Sequence, residues 1–101
     1  MVGWQQRIVV RILHGESGAL AELYDRVAGR VYRIAVMMTG SITAAEQITE
    51  AVFLEAWRHP ESLVSHQNQL EDYLSHQACQ QGALRRTRHI TPDAWASYGN
   101  S

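Results

Sequence analysis

Five histidines (His14, His59, His66, His76 and His89) and one cysteine, Cys79, are the residues whose types could hold a transition metal. His76 and Cys79 stand three apart, which on a helix puts both on one face and makes a workable ligand pair. A structural zinc site needs about four ligands of compatible geometry, and no third or fourth stands at a recognisable spacing. The expectation is solvated histidines, a half-buried thiol and no metal. Glu46 and Glu50 lie one helical turn apart, as acids on a solvated helix face commonly do, and nothing beside them supplies a substrate pocket. The chain holds no glycine-rich phosphate loop, nucleophile elbow or dinucleotide fingerprint, and Gly15-x-x-Gly18 is turn punctuation. No cofactor and no enzymatic activity are expected.

The elements that position these residues read as helices. From Trp4 to His14 the apolar residues Ile8, Val9, Ile12 and Leu13 recur at helical spacing, and Gly15 is a normal stop. A second helix begins near Ser17, with Leu20, Leu23, Tyr24 and Val27 on one stripe. Gly29 is expected to bend or break it. Val31, Ile34, Ala35 and Met38 form the next stripe, which ends at Gly40.

Thr43 with Glu46 three residues on has the pattern of a capping box, in which the two side chains satisfy otherwise orphan backbone donors. The helix predicted from there carries Ala45, Ile48, Val52 and Ala56 inward, with Phe53 and Trp57 beside them, and Pro60 ends it. Residues 61–67 read as a loop. Ser65 or Asn68 could cap a last helix running to about Arg88, with Leu70, Tyr73, Leu74, Ala78 and Leu84 inward. The predicted core includes Leu23, Tyr24, Val31, Ile34, Val52, Phe53, Leu74 and Ala78. The expected fold is an all-α bundle of four to five helices over residues 1–90, with 91–101 a tail or the start of a linker.

With 46% hydrophobic and 19% charged residues in 101, the chain is long enough for one core and too apolar for disorder. One cysteine permits no internal disulfide and fits a reducing compartment. No apolar run approaches a membrane span and no signal-peptide layout opens the chain, so a cytoplasmic protein is expected. The net charge is −1 and all nine basic residues are arginine. The average hides a division. From Ser41 to Ser75, Glu46, Glu50, Glu55, Glu61, Glu71 and Asp72 stand against Arg58 alone, and beyond them Arg85, Arg86 and Arg88 stand against Asp93. An acidic middle beside a basic end implies two different surfaces.

Three blocks of sequence carry more information than their periodicity. They are Ala19-Leu20-Ala21-Glu22-Leu23-Tyr24-Asp25-Arg26, then Arg30-Val31-Tyr32-Arg33-Ile34-Ala35, then Ala45-Glu46 through Val52-Phe53-Leu54-Glu55-Ala56-Trp57-Arg58. In this order they resemble region two of the extracytoplasmic-function sigma factors, from about Gly15 to Arg88. That resemblance implies a small helical domain with two faces. One is a helix, here Ala44 to His59, that docks on the β′ clamp of core RNA polymerase, with Glu46, Gln47, Glu50, Phe53 and Trp57 as its contact residues. The other is the last helix and the loop before it, which melt the promoter minus-ten element and hold a flipped base, with Tyr73, Arg85, Arg86 and Arg88 toward the DNA. An anti-sigma factor is a further implied partner.

The departures from the family pattern fall mainly on the second face. Gln47 stands where an acid is usual, Glu50 where glutamine is, and Ala51 where an acid is. The base-holding loop reads Leu63-Val64-Ser65-His66-Gln67-Asn68-Gln69 in place of the usual phenylalanine, aspartate, proline and arginine-glycine-serine pattern. Tyr73 replaces tryptophan, Cys79 and Gln80 replace polar or basic residues, and Glu71 and Asp72 add negative charge beside the expected DNA path. Because affinity for DNA scales steeply with the phosphates neutralised, weak minus-ten binding is expected. A sigma-like module that grips polymerase or an anti-sigma partner without productive DNA recognition is the alternative. The chain ends where a linker to a promoter-reading region four would begin, which fits both a fragment and a stand-alone domain.

Overall fold

The computed structural model describes residues 3–89, with side chains through Arg85. Five helices follow one another: α1 (Trp4–Leu13), α2 (Ser17–Thr39), α3 (Ile42–Arg58), α4 (Glu61–Val64) and α5 (Leu70–His89). No strand occurs among the described residues, and the fold is the expected all-α bundle. The tail at 91–101 lies outside the described residues.

α2 is the axis of the bundle. It packs against α1, α3 and α5, and Ala19, Leu23, Val27, Val31 and Ala35 are buried along it. Ile8, Val9 and Ile12 come from α1, Ala45, Ile48, Val52, Phe53 and Ala56 from α3, and Leu70, Leu74 and Ala78 from α5. The three- and four-residue spacing of these positions turns them all to one interior.

Gly29 does not interrupt α2, which runs unbroken through it. Glycine costs about 1 kcal/mol relative to alanine in a helix interior, and packing on several flanks of α2 offsets that cost. Tyr24 is also not in the core: it is 47% exposed, because its ring lies over the rim of the α2–α3 seam rather than within it. Ile34 is only half-buried. Leu84, expected inward, is exposed.

The start of α3 differs from the capping-box reading. Gly40 takes a left-handed φ of 67° and its N–H donates to Val36 O, which closes α2. Ser41 is then extended, and its hydroxyl accepts from Ala44 N at 3.1 Å. The helix therefore begins at Ile42, leaving Thr43 inside the first turn.

The stretch after Pro60 is not all loop. Pro60, with φ −64° already helical, starts the single turn of α4, and the fully buried Leu63 anchors it. α5 is capped from across the molecule. Leu70 N donates to Gln5 Oε1 at 2.7 Å, and Gln5 Nε2 donates to Asn68 O at 3.2 Å. Asn68 Oδ1 is engaged by Gln6 Nε2, so neither Asn68 nor Ser65 serves as the cap.

Candidate functional site

A wide concavity lies between α2 and α3. Ala28 and Gly29 have too little side chain to fill the seam, which opens a surface groove of about 920 Å³. Phe53 forms part of its base. It is only 4% exposed, and Tyr24 tilts over it at 59° with ring centroids 5.0 Å apart. Leu20, Tyr32 and Leu54 extend the apolar wall. Asp25, Glu46 and Glu50 stand at its rim, all exposed, and no ion pair engages them among the described residues. An apolar floor with an acidic rim fits a partner surface that carries an apolar anchor flanked by cations.

The five residues expected to face polymerase divide. Glu46, Glu50 and Phe53 line the groove. Gln47 is turned to α5, where its Oε1 accepts from Arg85 Nη1 at 2.7 Å. Trp57, a turn beyond Phe53, is half-buried against the core and outside the groove. Tyr24 and Asp25 complete the groove and were absent from the expected set. A partial signal was in the sequence: Ala28-Gly29, like Gly18-Ala19 and Gly82-Ala83, is a pair of minimal side chains within a helix, and Tyr24 and Asp25 lie about a turn from it.

Of the residues expected to face DNA, Tyr73 and Arg85 are not brought together. Tyr73 and Arg85 are separated by twelve residues of α5, about 18 Å at 1.5 Å per residue. Tyr73 is half-buried, and His66 stacks on it with centroids 4.1 Å apart and planes 10° from parallel. One face of this ring is thus already covered. Arg85 is held by Gln47. The side chains of Arg86 and Arg88 lie outside the described residues.

The acidic pair at the start of α5 is not bare. Arg30 Nη1 reaches Glu71 at 3.2 Å and Asp72 at 3.1 Å, and these contacts, the hydrogen bond to Glu71 first, hold the Arg30 guanidinium above its ordinary pKa. Repulsion of a phosphate backbone is blunted accordingly. Cys79 Sγ lies 3.9 Å from Met38 Sδ, His76 is exposed, and among the described residues no three histidine, cysteine or acidic side chains converge. No described helix is long and apolar enough to cross a membrane.

Among the described residues, fold and groove form an all-helical module with an apolar groove under an acidic rim. Over 46 residues the chain is 37% identical to the ECF RNA polymerase sigma factor SigL of Mycobacterium tuberculosis, equally in three strains. That stretch is 46% of this chain and 26% of SigL, so the likeness spans about a quarter of the relative's length and is a partial relationship to a sigma factor. No protein-family model matches the chain, and no solved structure does.

Proposed function

We propose that this chain is the region-two-like module of an extracytoplasmic-function sigma factor, docking on the β′ clamp of core RNA polymerase through the α2–α3 groove and the exposed edge of α3. The observation that carries this reading is the acidic rim of Asp25, Glu46 and Glu50 over the Phe53–Tyr24 floor, on the same blocks that resemble the family. The partial likeness to SigL supports a role in transcription initiation. In this reading the protein is a cytoplasmic binding module, not an enzyme, and requires no cofactor.

The experiment is co-purification with a β′ clamp fragment. Glu50→Arg reverses a rim charge and should abolish capture while far-UV circular dichroism stays unchanged. Gln47→Arg places a second guanidinium beside Arg85 and should weaken capture less. Undiminished capture by both variants would refute the docking face.

A second reading is favoured by a specific observation. His66 covers one face of Tyr73, and Gln47 holds Arg85, so two of the residues carried over for promoter contact are engaged within the chain. This supports a sigma-like module that binds polymerase, or an anti-sigma partner, with little minus-ten recognition of its own. Binding of a single-stranded minus-ten oligonucleotide with and without core polymerase separates the two readings. Tight, salt-tolerant, sequence-selective binding by the domain alone would exclude the second.

A further inference from the structure

A cationic cleft lies between α1 and α2, lined by Trp4, Arg7, Arg11, Glu22 and Arg26 around about 290 Å³ of open space. Trp4 opens α1 and packs partly against the core. Arg26 sets its guanidinium carbon 4.5 Å from the centroid of the Trp4 ring. Arg7 and Arg11 follow at one-turn steps along α1, a helix with no acidic residue.

The two nearest carboxylates are both taken by one arginine. Arg11 Nε meets Glu16 at 2.8 Å, and Arg11 Nη1 meets Glu22 at 3.5 Å. Arg7 and Arg26 have no ion-pair partner among the described residues, and both are exposed. Arg30 is bound to Glu71 and Asp72 and Arg85 to Gln47, while Arg33 and Arg58 are exposed without an ion-pair partner among the described residues but do not line this cleft. Arg7 and Arg26 are thus two open cations that share one cleft, whereas Arg85 on α5 is held.

We propose that the α1–α2 cleft binds the phosphodiester backbone of a single-stranded nucleic acid, with Arg7 and Arg26 on phosphate and Trp4 holding the Arg26 guanidinium in place. Attraction to the ring face positions a guanidinium while its N–H donors stay free, and a guanidinium so held can meet phosphate oxygens in bidentate fashion. The cleft is open and contains no buried donor cage, which suits a passing strand better than a small free anion. The site lies across α2 from the acidic groove and does not rest on polymerase docking.

The test uses the full chain and a short labelled oligothymidylate, followed by fluorescence anisotropy across a range of salt. Each engaged cation contributes about 0.7 to the magnitude of the slope of log affinity against log salt on single strands. Arg7→Gln and Arg26→Gln should each lower that magnitude by about 0.7, and the double variant by about 1.4. Arg26→Lys should retain the slope, because the charge remains. Circular dichroism establishes that these exposed substitutions leave the fold intact. A slope unmoved by both glutamine variants, or lowered only by Arg85→Ala, overturns the site. Inorganic pyrophosphate that binds the cleft while the oligonucleotide does not bind overturns the strand.

Discussion

Gly82 of α5 and Gly29 of α2 are both helical glycines, and the structure separates the effects of their alanine variants. Helix propensity alone favours alanine at either position by about 1 kcal/mol. A Cβ built on Gly82 would lie 2.6 Å from Met38 Cβ and 3.2 Å from Met38 Cγ. Carbon atoms settle at about 3.5–4.0 Å, so the overlap with Met38 Cβ is about 1 Å. Met38 Cβ is fixed to the α2 backbone and no rotamer change moves it, so α5 must shift away from α2. Overpacking of this kind costs about 1–3 kcal/mol, which cancels or exceeds the propensity gain.

At Gly29 a Cβ meets nothing within 4 Å, and the gain is unopposed. Gly82→Ala should lower the melting temperature by several degrees at the upper end of that cost, and Gly29→Ala should raise it, on the scale of about 4–8 °C per kcal/mol for a domain of this size. Thermal and urea unfolding followed by far-UV circular dichroism measure both. A Gly82→Ala variant as stabilised as Gly29→Ala would refute the close approach of α5 to α2.

Phe53→Ala should cost about 3–5 kcal/mol, whereas Tyr24→Ala, at a ring 47% exposed, should cost clearly less; equal losses in urea unfolding would contradict the placement of the two rings. Gln5→Ala removes both the acceptor for Leu70 N and the donor to Asn68 O. A loss of about 1–2 kcal/mol is expected, with faster hydrogen exchange at the Leu70 amide, and unchanged exchange would count against the cap. The Ser75 hydroxyl is buried without a hydrogen-bond partner, so Ser75→Ala should stabilise by about 1 kcal/mol; a destabilised variant would mean that the hydroxyl is satisfied.

Helix existence and the inward stripes were legible because every helix but α4 repeats apolar residues at three and four for several turns. What depends on contacts between helices was not. Tyr24 satisfies the stripe rule as well as Leu23 does, yet a phenol over a seam opened by Ala28 and Gly29 remains at the surface. Thr43 and Glu46 match a capping box, but the left-handed turn at Gly40 presents Ser41 first. Ser65 and Asn68 are good local caps for α5, and no local pattern can reveal a cap supplied by Gln5. The candidate site divides in the same way. Glu46 and Glu50 were legible from a resemblance along one helix, whereas Asp25 at their rim, the His66 ring over Tyr73 and the Arg7–Arg26 cleft arise from juxtaposition in space.

The cap at the start of α5 also bears on the order of assembly. Gln5 and Leu70 are 65 residues apart, and a loop of that span must close, at an entropic cost that grows with its length, before the hydrogen bond exists. Local turns of α2 and α3 can form early, but the first turn of α5 gains its acceptor only once α1 has docked. A rate-limiting step dominated by local contacts would leave this clasp unformed. Glu71, Asp72 and Tyr73 belong to that turn, so the chain's amino-terminal helix holds in register a surface that lies far from it in sequence.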